Sequence, residues 1–261
     1  MNTPYVSVVT TSYNQREKLL RLAEDLGRQD YDLESLELVA VDDGSSDSTS
    51  QALRVLADQL PYRVRVLRRE RAGSYLSALR WNDAIAHSDP RASVFVQVDD
   101  VRVRPDFIRR HAAWHEGGLR LVTGAKFEAD EVTWDLSACR RSRLAGPGGA
   151  AATIRAWTAC WGASLSYSRQ LVESVSDSGH DHPYDERMTG WGHQEVEFAY
   201  RCHLAGAELI YDPAVGVFHQ NHGPANDAGR GLDHAKAKAE GDAKNAEYVR
   251  QKHGPDALPR W

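Results

Sequence analysis

Apolar runs and amphipathic stretches alternate along the first hundred residues of the chain. Runs that are rich in β-branched residues, or that alternate apolar and Arg positions, predict strands at residues 5–11, 36–41, 62–67 and 93–98. Apolar residues at helical spacing predict the intervening helices, over residues 16–28, from Ser46 or Asp47 to Pro61, and over residues 72–87. This β-α-β-α-β-α-β order predicts a parallel sheet with helices on both faces, joined by right-handed crossovers.

The pattern is less regular in the second half of the chain. Helical spacing predicts further helices over residues 105–114, from Arg169 onward, over residues 193–205 and over residues 233–252. Strands are predicted at residues 119–126, 157–166, 208–211 and 215–219. Residues 128–155 show no period, and an irregular stretch of this length in a compact domain is usually functional or mobile. We therefore expect a single α/β domain.

The composition is that of an ordinary globular protein, with 41% apolar and 26% charged residues among 261. A formal charge of −5 argues against nucleic acid as the main partner, because nucleic-acid binding normally needs a basic face. No apolar run approaches the roughly 20 residues that span a membrane, and the N-terminus lacks the basic region of a signal peptide. The three cysteines, Cys139, Cys160 and Cys202, form no CxxC pair, which indicates free thiols. We expect a cytoplasmic protein, with peripheral attachment at the inner membrane face left open.

Carboxylates stand at the ends of two predicted strands. Asp99 and Asp100 interrupt the stretch SVFVQVDDVRV at residues 93–103, and Asp42 and Asp43 end an earlier strand. By themselves, paired aspartates are most often solvated turn residues. However, the carboxyl ends of parallel strands share one edge, where ligands bind in open α/β sheets. An acid at a buried strand end also needs water, a cation or hydrogen-bond donors, so Asp100, helped by Asp99, is a candidate metal ligand.

The same edge has the chemistry to bind a nucleotide base. Asp43 can accept the N3–H group of a uracil, and Tyr13 can stack on its ring. The alternatives are that Asp43 caps the next helix and that Tyr13 packs on the sheet edge. A GxGxxG pattern after the first strand and a Walker A motif are both absent from the sequence. These absences disfavour a dinucleotide-binding Rossmann domain and a P-loop nucleotidase.

Several segments together resemble family 2 glycosyltransferases of the GT-A fold: VSVVTTSYNQREKLLRLAEDL, ELVAVDDGSSDST, the helix with Trp81-Asn82, FVQVDDVRVRPDF, GWGHQEVEFAYRCHLAG and VGVFHQNH. The last two are also similar to motifs of galactosaminyl- and galactosyltransferases. The likeness spans residues 5–222 and implies a Rossmann-like, mostly parallel central sheet flanked by helices. It also implies a nucleotide-sugar-binding half at residues 1–126, an acceptor-binding and catalytic half at residues 127–232, and a C-terminal helical tail at residues 233–261.

The resemblance implies positions for the donor and for a metal. The positions that match donor-binding residues are Thr11, Tyr13, Asp43, Asn82, Asp99 and Asp100. The DxD motif of the family matches residues 98–100, so Val98 replaces the first aspartate and Asp100 matches the metal-ligating one. His219 matches a late histidine that completes the metal site, and His222 is a nearby alternative. A carboxylate and an imidazole, together with diphosphate oxygens and water, suit Mn²⁺ or Mg²⁺.

The resemblance also implies a catalytic base, which in such enzymes is the second acid of a pair after a GWG turn. Glu195 matches this base, and Gln194 replaces the first acid. A carboxylate near a helix N-terminus is expected to stay ionised through the helix dipole. It can deprotonate an acceptor hydroxyl as that oxygen attacks the anomeric carbon opposite the phosphate, which inverts the configuration. Otherwise Glu195 is an ordinary first-turn acid. Glu197 is expected to cap the helix, to pair with Arg201 or to contact the acceptor.

Acceptor binding is assigned to residues around the same turn. Trp191 is a candidate aromatic platform next to Gly192, and Asp185 is a candidate partner for acceptor hydroxyls. The alternatives are a core tryptophan and a solvated turn acid. The cluster at residues 140–143, with three arginines, either clamps the diphosphate or is a solvated basic loop. No catalytic role is assigned to a cysteine.

These features predict an inverting, metal-assisted glycosyltransferase. It would move a sugar from a nucleotide-sugar donor, best matched by a UDP-sugar, to a hydroxyl of a glycan, lipid-linked, peptide or small-molecule acceptor. A nucleotidyltransferase is the first alternative, but no Gly-rich basic phosphate loop follows the first strand. The second alternative is a non-catalytic nucleotide- or sugar-binding protein of the same fold, for which Val98 and Gln194 argue.

Overall fold

One mixed sheet forms the centre of the computed structural model, which describes residues 3–72, 75–129, 140–141, 152–154, 157–176, 182–220 and 223–258. The strands are β1 (Tyr5–Ser12), β2 (Leu36–Asp42), β3 (Arg63–Arg68), β4 (Ala92–Val98), β5 (Val101–Arg102), β6 (Arg120–Ala129), β7 (Arg140–Arg141), β8 (Ala152–Thr153), β9 (Ser164–Ser168) and β10 (Glu208–Gln220). The helices are α1 (Arg16–Leu26), α2 (Thr49–Ala57), α3 (Ser77–Ala86), α4 (Phe107–Ala113), α5 (Arg169–Ser176), α6 (Gln194–Leu204) and α7 (Gly223–His253).

The first half of the sheet is parallel, as the alternating pattern predicts. Its strand order is β3-β2-β1-β4, and each pair of neighbours is parallel. β1 and β2 are buried along nearly their whole length, because helices cover both faces of the sheet. The predicted parallel α/β arrangement is therefore confirmed for this half.

The second half of the sheet continues from β4 in the order β9-β6-β10-β5, with both parallel and antiparallel neighbours. β9 is antiparallel to both β4 and β6, and β10 runs parallel to β6. The short strand β5 pairs antiparallel with β10, so that Val101 lies opposite His219. This pairing brings the turn after β4 next to the end of β10, although the two segments are far apart in sequence.

Two strand predictions in this half need correction. The strand predicted at residues 157–166 begins only at Ser164, because Trp157–Ala159 form a 3₁₀ turn. The two extended pieces predicted at residues 208–211 and 215–219 are the single strand β10. Its pairing with β6 is irregular between Asp212 and Val217. There the Asp212 side chain accepts a hydrogen bond from the backbone N–H of Ala214, at 2.8 Å, which folds the strand locally.

Two helices begin at other residues than the sequence pattern predicts. α3 begins at Ser77 instead of residue 72, since Tyr75 has a φ of 57° and cannot belong to a right-handed helix. α7 begins at Gly223, earlier than the predicted residue 233. None of the helices within the described ranges is both long and apolar enough to cross a membrane.

Each face of the sheet has its own buried core. The core under α1, α2 and α4 includes Leu22, Leu53 and Phe107. The core under α3, α5 and α6 includes Trp81, Leu171 and Phe198. Successive residues of a strand point to opposite faces, so Val98 lies in the first core while its neighbour Gln97 faces the tyrosines of the second.

Candidate active site

The turn after β4 lies beside the end of β10. The backbone N–H of Val101 donates to the Asp99 carbonyl at 2.9 Å, and the backbone N–H of Gln220 donates to the Asp100 carbonyl at 3.1 Å. These bonds fix the backbone that presents the two carboxylates. The predicted meeting of Asp100 with His219 is therefore present in the structure.

The Asp100 carboxylate is surrounded by nitrogen donors. One oxygen, Oδ2, accepts from Lys18 Nζ at 2.6 Å and from Gln15 Nε2 at 3.1 Å. The other, Oδ1, lies 3.3 Å from His219 Nε2. Lys18 Nζ also donates to the carbonyl of Gln220 at 2.6 Å. Sequence reasoning missed Lys18, in the first turn of α1, and Gln15, the residue before this helix.

The two neighbouring aspartates have opposite electrostatic environments. Burial raises the pKa of Asp100, but the hydrogen bond and charge of His219 and the ammonium of Lys18 outweigh burial and lower it. Burial and the adjacent charge of Asp100 raise the pKa of Asp99 to about 6. Asp100 is thus held as a carboxylate, while Asp99 takes up a proton at a higher pH than an ordinary aspartate, near pH 6.

The donor set at this point fits a divalent ion. An ion bound at about 2.1 Å places adjacent ligand atoms about 3 Å apart, which matches the 3.3 Å between Asp100 Oδ1 and His219 Nε2. A carboxylate oxygen and an imidazole nitrogen suit Mn²⁺ or Mg²⁺. Among the described residues, no group of three or more His, Cys, Asp or Glu side chains is arranged to hold a metal. Within the described residues, Asp100 and His219 could thus serve as two side-chain ligands here, and substrate oxygens and water would supply the others.

Glu195 lies in the first turn of α6, directly after a strained turn. Gly190, Gly192 and His193 all have positive φ values, of 94°, 101° and 68°, which the two glycines adopt without a steric cost. Burial and the charge of Asp99 raise the pKa of Glu195 to about 8, against the hydrogen bonds from the backbone N–H groups of Glu195 and Gly162. The expectation that the helix end alone keeps Glu195 ionised is wrong, because desolvation is the larger effect.

Gln97 is a polar residue of β4 that sequence reasoning missed. Its side chain is fully buried, and its Oε1 accepts hydrogen bonds from the hydroxyls of Tyr184 and, at 3.4 Å, Tyr167. Its Nε2 has no hydrogen-bond partner in the described part of the chain. A Cβ on Gly162 would lie 2.6 Å from Gln97 Nε2 and 2.4 Å from Glu195 Oε1. Gly162 therefore leaves the space that both groups occupy. The sequence does contain a signal for this residue, because Gln97 is a side-chain amide within the mostly apolar strand ASVFVQV.

The predicted base-binding residues lie together at the ends of β1 and β2. Asp43 Oδ1 accepts from Arg80 Nε at 2.6 Å, and Asp43 Oδ2 accepts from Arg71 at 3.1 Å. The guanidinium of Arg71 also lies over the Tyr13 ring, 3.5 Å from its centroid. The arginines were not foreseen from sequence. Thr11 is on β1 opposite Val41, at the same sheet edge.

Asn82, which was predicted to bind the donor, has a different set of contacts. Its Nδ2 donates to the Tyr184 carbonyl at 2.9 Å and to Glu186 at 3.0 Å, and its Oδ1 accepts from the Tyr184 N–H at 3.0 Å. Only 2% of the residue is exposed. These contacts hold the segment that carries Tyr184 and favour a structural role for Asn82.

A family model described as "Glycosyl transferase family 2" matches residues 7–176 of the chain. The chain belongs to glycosyl transferase family 2. Two curated relatives, both named validoxylamine A glucosyltransferase and both from subspecies of Streptomyces hygroscopicus, are 27% and 26% identical over 234 residues. Each match covers 80% of this chain, with 53% and 50% of the relatives. The chain thus spans about half the length of the curated relatives it matches.

Solved structures with the same fold include a mannosyltransferase and a protein in complex with UDP-GlcNAc. The mannosyltransferase PcManGT from Pyrobaculum calidifontis, in complex with GDP-Man and Mn²⁺, is 20% identical with a TM-score of 0.66, over 99% of this chain and 73% of that chain. S. aureus TarS 1–349 in complex with UDP-GlcNAc is 14% identical with a TM-score of 0.65, over 98% of this chain and 76% of that chain. These similarities show the GT-A fold of this family 2 chain.

α7 covers the GWG turn of this family 2 chain. Trp191 is 44% exposed, with Lys238 Nζ 5.4 Å from its ring centroid, so it is not the core tryptophan of the alternative interpretation. The carbonyl of Gly192 accepts from Asn245 Nδ2 at 2.8 Å. His193 Nε2 pairs with Asp242 at 3.1 Å. The turn is therefore held from one side while the Trp191 ring stays accessible.

Asp185 is buried and does not face open space. It is 3% exposed, and its carboxylate pairs with Arg187 at 2.8 Å and with Lys252 at 2.7 Å. The Tyr248 hydroxyl also donates to it, at 2.8 Å. A carboxylate that is already satisfied by three donors favours a structural role, while its contact with an acceptor stays a prediction. The alternative of a solvated turn acid is wrong, because Asp185 is buried.

Glu197 has the structural role that its position predicts. It is fully buried and pairs with Arg201 at 2.9 Å, which confirms the expected i, i+4 pair. Lys252 at 2.7 Å and His253 at 2.8 Å complete its surroundings from α7. Burial opposes these partners, but together they lower the pKa of Glu197 to about 2.

Several predictions fall on residues that the structure does not describe. His222, Cys139 and the side chains at residues 140–143 lie outside the described residues. Cys160 and Cys202 are both buried free thiols, as the cysteine pattern predicts. Burial raises the pKa of Cys160 to about 12, which makes this thiol unreactive at neutral pH.

Proposed function

We propose that the chain is an inverting glycosyltransferase that moves a sugar from a nucleotide-sugar donor to an acceptor hydroxyl. Membership of family 2 supports sugar transfer. The observation that carries the mechanism is the carboxylate of Glu195, which lies with Gln97 against Gly162 and close enough to Asp99 for the two charges to interact. This proximity supports a shared site for the candidate base and Asp99.

The donor base is proposed to bind at the ends of β1 and β2. Tyr13 and Asp43, with Arg71 and Arg80 beside them, offer a stacking surface, an acceptor and donors to a nucleobase. A UDP-sugar remains the first candidate, because Asp43 can accept the N3–H group of a uracil. TarS binds UDP-GlcNAc while PcManGT binds GDP-Man, so both nucleotides need testing.

The donor diphosphate is proposed to bind at Asp99 and Asp100. Asp100 and His219 would hold Mn²⁺ or Mg²⁺, which supplies Lewis acidity towards the diphosphate when it is bound. Thr11 stays a proposed donor contact on the strength of its place at the end of β1.

Chemistry is proposed to begin when ionised Glu195 takes the proton of the acceptor hydroxyl. The acceptor oxygen forms a bond to the anomeric carbon on the face opposite the diphosphate, and the bond between that carbon and the diphosphate oxygen breaks. The nucleoside diphosphate leaves with the bonding electrons, and the sugar configuration is inverted. Trp191, which is 44% exposed and stands four residues before Glu195, is the proposed sugar platform, with Gly192 giving the turn its shape.

The acceptor class stays open among glycans, lipid-linked glycans, peptides and small molecules. Two curated relatives are named validoxylamine A glucosyltransferase. Their names make a glucosyl group and validoxylamine A the first donor sugar and the first acceptor to test here. A screen of UDP-, GDP- and dTDP-sugars, read by release of the nucleotide, would identify the donor.

The decisive variant is Glu195→Gln, which keeps the size of the side chain and removes the base. Transfer should fall by about 10²–10⁴-fold, while UDP affinity stays unchanged, because general base catalysis contributes that much. Glu240→Gln is the matched control, since Glu240 is 68% exposed on α7, and it should transfer at the wild-type rate. Transfer by Glu195→Gln at the wild-type rate would exclude Glu195 as the base. Nucleotide binding without transfer to any acceptor would favour the non-catalytic alternative.

A further inference from the structure

Lys18 brings a positive charge from α1 into the donor site. Its Nζ lies 2.6 Å from Asp100 Oδ2 and 2.6 Å from the Gln220 carbonyl, and its side chain is only 13% exposed. It therefore bridges the turn after β4 and the end of β10, the two segments that carry the candidate metal ligands.

The position of Lys18 matters because the cleft is rich in acids. Asp99, Asp100 and Glu195 lie close enough for their charges to interact in pairs, Asp99 with each of the other two. A nucleoside diphosphate adds further negative charge to such a cleft. Like charges that approach within a few ångström in a partly desolvated site repel one another strongly, so diphosphate binding needs positive charge that is already in place.

Lys18 also competes with a metal for the same carboxylate. Asp100 Oδ2 accepts from Lys18 and from Gln15 at 3.1 Å, so Oδ1 is the oxygen that remains on the His219 side. With part of the carboxylate charge neutralised by an ammonium at 2.6 Å, Asp100 attracts a divalent ion less strongly than a carboxylate without such a partner.

We propose that Lys18 is a resident cation of the donor site, which neutralises Asp100 and lets a nucleoside diphosphate bind even when no divalent ion is present. Lys18 is then a binding residue for the diphosphate, and the divalent ion strengthens binding without being required for it. This inference rests on the proposed function, since it assumes that a nucleotide diphosphate binds at Asp99 and Asp100.

The test measures UDP binding by calorimetry, in EDTA and in Mn²⁺, for the wild type and for Lys18→Met. The wild type should bind UDP in EDTA, and Lys18→Met should lose on the order of 10–100-fold in affinity there, the value of one charge-assisted contact. Mn²⁺ should restore much of the loss. Titration of Mn²⁺ alone, followed by electron paramagnetic resonance, should show tighter Mn²⁺ binding in Lys18→Met than in the wild type.

Two further variants keep the test decisive. Lys236→Met makes the same chemical change at a lysine that is 75% exposed and should leave UDP and Mn²⁺ binding unchanged. Lys18→Arg keeps the charge and should retain UDP binding in EDTA. If Lys18→Met does not fold, the wild type and Lys18→Arg in EDTA and in Mn²⁺ decide the question.

The outcomes separate this inference from the proposed function. UDP binding by the wild type in Mn²⁺ but not in EDTA would overturn the role of Lys18 and leave glycosyl transfer standing. Equal UDP affinity of Lys18→Met and the wild type in EDTA would overturn it as well. Absence of binding by UDP, GDP and dTDP in both conditions would overturn the proposed function, and the inference with it.

Discussion

At the scale of single residues, burial decides the chemistry of Glu195. A glutamate in the first turn of a helix is ordinarily ionised well below neutral pH, because backbone N–H groups favour the anion. Here desolvation and the charge of Asp99 raise its pKa to about 8. A base with a pKa near the operating pH is well matched to taking a proton from a hydroxyl.

The raised pKa predicts the pH dependence of transfer. Only the ionised form of Glu195 can accept a proton, so kcat/KM should rise about tenfold per pH unit below pH 8 and level off above it. Asp99→Asn removes the second cause of the shift and should move this midpoint to lower pH. The measurement is a pH–rate profile for both proteins. A flat profile between pH 6 and 9 would contradict the assignment.

The raised pKa of Glu195 also makes the free energy of unfolding depend on pH, and the direction of the pKa shift sets the direction of that dependence. The folded pKa of about 8 lies above the unfolded value near 4.5, so the contribution of Glu195 is fully present below pH 4.5 and is lost as pH rises through 8. Glu195→Gln removes that loss. Its melting temperature relative to the wild type should therefore increase between pH 5 and pH 8.

The DxD motif of the family and the structure point to different residues of β4. In the motif, Val98 takes the place of the first aspartate, but in the structure Val98 is fully buried in the core on the opposite face of the sheet from Glu195. The side chain of β4 that does face Glu195 is Gln97, whose Nε2 has no hydrogen-bond partner within the described residues. Strand alternation decides which of two neighbours faces the cleft, and that requires knowing which face is the cleft.

At the scale of elements, α6 and α7 are joined by a buried network of charges. Lys252 of α7 lies 2.7 Å from both Asp185 and Glu197, which are almost fully buried. His253 adds a contact to Glu197 at 2.8 Å. A buried carboxylate is strongly destabilising without a charged or hydrogen-bonding partner. The ion pairs from Lys252 and His253 to these acids therefore fix the position of the C-terminal end of α7.

Removing Lys252 should therefore destabilise the fold. Lys252→Met leaves two buried acids, Asp185 and Glu197, with fewer partners. The expected loss in the free energy of unfolding is about 3 kcal/mol. This is the lower end of the range for a broken buried ion pair, because both acids keep other donors. Urea denaturation measures the loss. Lys236→Met, at an exposed i, i+4 pair, should cost less than about 0.5 kcal/mol. Equal effects of the two variants would show that the network contributes no more than a surface pair.

At the scale of the whole molecule, α7 packs against the turn that precedes α6. Gly241 makes this possible, because a Cβ there would lie 2.5 Å from the backbone nitrogen of Trp191. The proposed division at residues 126 and 232 stays a prediction, and both boundaries fall inside elements, since β6 ends at Ala129 and α7 begins at Gly223.

Gly241→Ala tests this packing. Alanine favours a helix by about 1 kcal/mol over glycine, but forcing a methyl group against backbone costs about 1–3 kcal/mol. We expect a net loss of stability and a fall in transfer. UDP affinity should stay unchanged, because the backbone that the methyl group meets belongs to Gly190 and Trp191, and neither is a proposed nucleotide-binding residue. Glu240→Ala, one residue earlier and exposed, should leave transfer unchanged. A stabilised, fully active Gly241→Ala would contradict the packing argument.

The sequence by itself determined the order of strands and helices, the acids at the strand ends and the place of Glu195 after the GWG turn. These follow from periodicity and local motifs, which depend on residues near one another in the chain. Tertiary structure decided that Lys18 reaches Asp100, that Gln97 faces Glu195 and that Asp185 is enclosed by α7. Those facts depend on distance through space between segments that are remote in sequence, and so do burial and the pKa values that follow from it.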